Sequence, residues 1–212
     1  IKALVATEDA RFYDHSGIDF IALGRAVVKR GLLGQKSAGG GSTITQQLAK
    51  QLYSGTAHSV MERMLQKPIE WVIAVQLERN YTKDEIIAMY LNYFDFLHNA
   101  VGIKTASNTY FGKEPRNLTV TEAATLVGLC KNPSYYNPVR YKERSRERRN
   151  VVLGQMVKAG YLTEAQYEQY SAEPMTLNFH VSDHKDGVAV YFRDFLRRYM
   201  MAKQPMRSDY PS

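Results

Sequence analysis

The chain has 212 residues, with 28 Lys or Arg against 21 Asp or Glu and a formal net charge of +7. At 44% hydrophobic and 23% charged it is long and apolar enough to bury a core, which excludes a disordered or collagen-like chain. Its single cysteine, Cys130, excludes an internal disulfide and a thiolate-only metal site.

The first segment reads as a helix, because Leu4, Glu8 and Phe12, and likewise Val5, Asp9 and Tyr13, recur every four residues. A turn follows at His15 and Gly17. The stretch 20–33 mixes Phe20, Ile21, Leu23, Val27, Val28, Leu32 and Leu33 with Arg25, Lys29 and Arg30. That pattern suits either an interfacial amphipathic helix or a core helix with its basic residues outward. A glycine-rich loop to Ser42 then opens a helix with the Thr43…Gln46 capping pair and the apolar line Ile44, Leu48, Leu52.

Pro68 suits the first turn of a helix through Trp71–Glu78, which would make Glu70 a helix-dipole partner. Capping pairs recur at Thr82…Glu85, Thr119…Glu122 and Thr163…Gln166. The helix starting at Lys83 and the arginine-rich stretch 140–149 read as solvated faces. Met175, Leu177, Phe179 and Val181 alternate as in a strand, and Val188 to Met200 trace an amphipathic stripe. The expected class is mainly α with little β. No apolar run reaches the roughly 20 residues that span a bilayer, and Ile1 begins no signal peptide. The expectation is therefore a piece of a longer product, with any membrane anchor outside it.

Three places offer chemistry. The Gly39–Thr43 loop brings backbone N–H groups and a helix start to where an anion could lie, and Thr43, Gln47 and Lys50 share one face of that helix. Glu8 lies on an apolar helical line, where burial would make it a better proton acceptor near neutral pH; its surface alternative is a pair with Arg11. Glu70 is the third.

Taken in order, these residues resemble a known set of signatures. Glu8-Asp9-x-x-Phe12-x-x-His15-x-Gly17, then Gly40-x-Ser42-Thr43-Ile44-Thr45-Gln46-Gln47, then Lys67-x-x-Glu70 are similar to the motifs of glycosyltransferase family 51. These are the peptidoglycan glycosyltransferases of class A penicillin-binding proteins and their monofunctional relatives. Lys83-x-x-Ile86-Ile87-x-x-Tyr90-Leu91-Asn92 and Arg148-Arg149-x-x-Val152-Leu153 resemble the fourth and fifth signatures. Two places depart from the pattern. Gln66 stands where arginine is usual, with Arg63 one helical turn away, and Leu97 and Asn99 stand where glycines are usual.

The resemblance implies a lysozyme-like multi-helix domain over residues 1–174, with a membrane-facing jaw at about 18–60. Residues 175–212 would be a strand and helix leading toward another domain, such as a transpeptidase. It implies polymerisation of lipid II into β-1,4-linked glycan at the periplasmic face of the inner membrane, with undecaprenyl diphosphate displaced and the anomeric carbon inverted. Glu8 would be the general base and Glu70 a second catalytic residue, orienting basic groups or holding Mg2+ or Mn2+. Asp9, Arg25, Ser42, Thr43, Gln47, Lys50, Arg63 and Lys67 would bind substrate. The partners implied are lipid II, the growing glycan, a membrane surface and cell-wall synthesis proteins, with no organic cofactor and no nucleic acid. The rival readings are a glycan-cleaving enzyme of lysozyme type and a non-catalytic membrane or cell-wall scaffold.

Overall fold

Helix α1 (Lys2–Glu8) buries Ala3, Leu4, Val5 and Ala6, four consecutive residues and therefore every side of the helix. A helix apolar all round belongs at the centre of a core. It packs between α7 (Val120–Lys131) and α8 (Lys142–Lys158), which also pack on each other. The computed structural model describes residues 1–31, 41–53 and 59–181. Among them lie a one-turn 3-10 helix at Phe12–Asp14, α2 (Phe20–Gly31), α3 (Ile44–Tyr53), α4 (Val60–Asn80), α5 (Lys83–Tyr93), α6 (Ile103–Phe111) and α9 (Glu164–Ala172). No strand occurs among the described residues; Asp95 and Val101 form an isolated bridge. The expected mainly α class is what the chain adopts.

A second group forms where α3 packs against α4 and α5, and α6 contacts both α5 and α7 to join the two groups. All four capping pairs form. Thr82, Thr119 and Thr163 each accept the N3 backbone N–H while the N3 side chain accepts theirs. At α3 the Thr43 hydroxyl accepts from the Gln46 N–H at 3.1 Å and the Gln46 side chain accepts from the Thr43 N–H at 3.3 Å.

Three expectations need correction. Pro68 does not start a helix: α4 runs unbroken from its Ser59 cap to Asn80 with Pro68 inside it. Proline there lacks the N–H that would reach the Met64 carbonyl. Met64, Leu65, Pro68 and Ile69 are exposed, so the ring crowds no packed neighbour on that face. Glu70 is accordingly an interior residue, not a first-turn dipole partner.

The run 175–181 is extended but joins no sheet. Asn178 and His180 donate their N–H groups to the carbonyls of Tyr110 and Thr109, near the end of α6. Met175 is buried, and Leu177 and Phe179 pack on the core, so the alternation is real and its partner is a helix end. The compact unit that includes this strap is Ile1–His180; the helix expected at 188–200 lies outside the described residues.

The basic stretch is the third correction. Val152 and Leu153 are fully buried on α8, and four residues earlier Arg148 and Arg149 share their inward face. Arg149, 1% exposed, donates to the carbonyls of Ser171 and Glu173 at 3.1 and 2.9 Å and so ties the end of α9 to α8.

Where the usual glycines are missing, Leu97, His98 and Asn99 all take left-handed backbone, with φ of 68°, 53° and 61°. The turn closes through the Leu97 N–H on Asp95 Oδ1 at 2.8 Å and the Phe96 N–H on the Ala100 carbonyl at 3.0 Å. His98 is wedged between Asn137, at 3.1 Å, and the rings of Tyr110 and Phe179.

Candidate active site

Glu8 is the last residue of α1, and its carboxylate enters a polar frame instead of an apolar stripe. One oxygen, Oε2, accepts from Gln47 Nε2 of α3 at 3.2 Å; the other, Oε1, lies 3.4 Å from Arg148 Nη2 of α8. Arg148 is 9% exposed at its side chain and Glu8 14%, so the pair is shielded from water. Arg11, the expected surface partner, pairs with Asp19 instead.

Asp9, the next residue, has a structural task. Its carboxylate receives His15 Nε2 at 3.0 Å and the Ile44 N–H at 3.1 Å. Ile44 is the first residue of α3, so a negative charge sits where the helix dipole is positive. His15 is held in turn by the Gly17 N–H on Nδ1 at 3.2 Å, leaving Nε2 to face Asp9. Gly17 has φ of +94°, and a Cβ there would meet the Ala74 carbonyl oxygen at 2.8 Å, so only glycine lets this turn lie against α4. Its carbonyl accepts the Thr43 hydroxyl at 2.7 Å. Thr43 is 2% exposed, so the hydroxyl expected to bind substrate is engaged in holding the loop to α3.

A cavity of about 280 Å³ opens between these elements, lined among others by Glu8, Asp9, Arg25, Ser42, Thr43 and Gln155. From α4, Lys67 reaches Ser42 Oγ at 3.2 Å and Glu70 Oε2 at 2.7 Å. Glu70 is 3% exposed, and what it orients is a lysine that touches the cavity's rim residue. Lys50 lies exposed on the turn after Gln47 and does not line the cavity. The side chain of Arg63 lies outside the described residues; its backbone is on the continuous α4, one turn before Gln66. Lys83 is not a solvated residue: it donates to the His15 carbonyl at 2.6 Å and to Glu78 at 2.8 Å, beneath the Phe12 ring.

Sequence reasoning missed Arg148 and Tyr90 as site residues. The signal for Arg148 was its place four residues before a buried valine. Tyr90, fully buried on α5, donates its hydroxyl to Gln47 Oε1 at 3.1 Å.

One cavity thus brings together a hydrogen-bonded carboxylate, Glu8, and a basic residue, Arg25, with the Lys67–Ser42 pair at its rim. The family model described as Transglycosylase matches residues 1–157. The chain is 44% identical over 180 residues to penicillin-binding protein 1F of Bacillus subtilis, covering 85% of this chain and 24% of that protein. It is 39% identical over 203 residues to penicillin-binding protein 1A of Aquifex aeolicus, covering 96% and 27%. To penicillin-binding protein 1A of Escherichia coli it is 38% identical over 200 residues, covering 94% and 23%. The chain therefore belongs to the transglycosylase family, that of the peptidoglycan glycosyltransferase domains. It spans about a quarter of the length of the curated relatives it matches.

Proposed function

We propose that this domain polymerises lipid II, joining an acceptor 4-hydroxyl to the anomeric carbon of a growing glycan that carries undecaprenyl diphosphate. The observation that supports it most is one cavity lined by Glu8 together with Arg25, Ser42 and Thr43. Glu8 takes the proton of the attacking hydroxyl as the new C–O bond forms on the face opposite the departing diphosphate. One displacement of this kind inverts the carbon and needs no covalent sugar–enzyme intermediate. The diphosphate leaves with the bonding electron pair, unprotonated, because fixed cations meet its charge.

Arg25 and the Lys67–Ser42 pair are the described groups suited to that charge, with Glu70 setting the direction of Lys67. Among the described residues no three His, Cys, Asp or Glu side chains converge on a common point, and Glu70 is engaged by Lys67. The described side chains form no resident cage for Mg2+ or Mn2+, and no step here is routed through a metal.

A lipid-linked substrate calls for a membrane surface, and two helices offer one. Phe20, Ile21 and Val28 on α2 are exposed, as are Met61, Met64, Leu65, Ile69 and Val72 on α4, the latter at the three-and-four spacing of a single face. No described helix is long and apolar enough to cross a membrane. We place the domain at the periplasmic face of the inner membrane, with anchor and any transpeptidase partner in segments other than this one.

The test is product sizing after incubation with lipid II and, separately, with finished glycan. Polymer from the first and no shortening of the second is the expected result; shortened glycan would instead identify a cleaving enzyme. Glu8→Gln is expected to melt like the native chain and to lose nearly all polymerisation, and a variant that keeps its rate removes Glu8 from the role.

A further inference from the structure

Gln47 holds the Glu8 carboxylate, yet a glutamine amide can face either way. Turned one way it offers Glu8 a donor; turned the other, its oxygen would oppose a carboxylate oxygen, acceptor against acceptor. The acceptor-only carboxylate favours the first arrangement, and a donor at the other end of the amide would hold it there. Tyr90 is the group in contact with the other end of that amide, its hydroxyl 3.1 Å from Gln47 Oε1. Tyr90 is fully buried, and its ring packs on Phe94 with centroids 5.8 Å apart. Burial, together with the neighbouring Cys130 and Glu8, pushes the phenol far above its ordinary range. Burial likewise pushes the thiol of Cys130, a neighbour of Tyr90, up, so no charge arises beside the phenol from that side. A phenol that keeps its proton can donate to Oε1 while the acceptor-only carboxylate takes Nε2, so both ends of the amide are matched and held.

We infer that Tyr90 is a positioning residue for the proposed general base, acting through the orientation of the Gln47 amide without touching substrate. The chain Tyr90–Gln47–Glu8 crosses from α5 through α3 to α1 and fixes Oε2. The contact left on Oε1 is the 3.4 Å approach of Arg148, longer than the 2.7–2.9 Å or so of a strong charge-assisted bond. Oε1 is thereby the oxygen presented to the acceptor hydroxyl, and it receives that hydroxyl's proton as the bond to the anomeric carbon forms and the diphosphate leaves. The inference rests on the function proposed above, and its test separates the two.

Tyr90→Phe removes one oxygen and keeps the ring. Steady-state polymerisation of lipid II is expected to show kcat lower by about tenfold with KM within about twofold, the scale of one lost hydrogen bond at a buried group. Gln47→Met is expected to lose at least as much, and Tyr90→Phe added to Gln47→Met to lose nothing further, because the hydroxyl has no amide left to orient. Losses that multiply in the double variant, or a Tyr90→Phe enzyme at native kcat, overturn the inference. A second readout needs no turnover. The Gln47 side-chain amide signals, assigned by their loss in Gln47→Met, are expected to be slow in hydrogen exchange in the native chain and much faster in Tyr90→Phe. Equal protection in the two overturns the positioning role even if the native chain is inert on lipid II, whereas inertness alone overturns only the proposed function.

Discussion

Leu97, His98 and Asn99 keep a backbone that glycine would adopt freely. For residues with a Cβ the left-handed region costs about 1 kcal/mol or more each, least for asparagine, and it persists because neighbours over-determine it. Here the anchors are Asp95 Oδ1, Asn137 and the Tyr110 and Phe179 rings. Leu97→Gly is expected to stabilise the domain by about 0.5–1 kcal/mol, raising the melting temperature by a few degrees, since relief of strain outweighs the extra freedom of the unfolded chain. An unchanged or lower melting temperature would mean that Leu97 packing outweighs the strain. At this scale the sequence was readable where a side chain has one plausible task. Glu8 could be singled out from its motif, but its setting could not, because Arg148 comes from 140 residues away. Asp9 and Thr43, expected as substrate contacts, both line the cavity, and their bonds to His15, Ile44 and Gly17 were not legible because only the folded turn brings those partners near.

Helix α2 is anchored at its start by Asp19, which accepts the Ala22 N–H at 2.8 Å and pairs with Arg11. Burial alone would push this carboxyl up; the Arg11 bond, the Ala22 N–H and the charges of Arg11 and His15 offset that and hold it below its ordinary value. A carboxyl depressed in the folded state adds stability above the unfolded value, near pH 4, and that stability fades as pH falls through the lower folded value. Asp19→Asn keeps a capping oxygen but no charge. It is expected to lower stability at pH 7 by about 1 kcal/mol and to flatten the acid dependence below about pH 4, as read from thermal melts across pH 2–7. A variant with the native acid slope would assign that slope to other carboxylates. The starts of α3, α5, α7 and α9 were legible, because a capping box is local chemistry. Pro68 and the 175–181 strap were misread for one shared reason: whether a proline clashes, or an extended run finds a strand, depends on what packs alongside.

At the scale of the molecule, α2 and α4 both carry exposed apolar side chains, those of α4 along a single face. Flotation with vesicles of anionic lipid is expected to carry the native chain upward, with recovery falling severalfold for Phe20→Ser combined with Leu65→Ser, each substitution removing about 1.5–3 kcal/mol of potential burial. Equal recovery of both would detach membrane contact from these faces. The mainly helical class could be read from spacing alone, since 3.6-residue periodicity repeats along the chain. The cleft could not, because its walls are the end of α1, one side of α2, residues 41–43 before α3 and Gln155 of α8, and nothing local records how segments far apart in order come to share a hollow.

The family model ends at residue 157, but the contacts of Arg149 do not. Its two carbonyl partners, on Ser171 and Glu173, belong to the stretch beyond that limit. A fragment trimmed at that limit would retain a sequestered guanidinium and discard two of its acceptors. The relatives matched over 94–96% of this chain run on through these acceptors, and expression of the catalytic piece should follow that longer border.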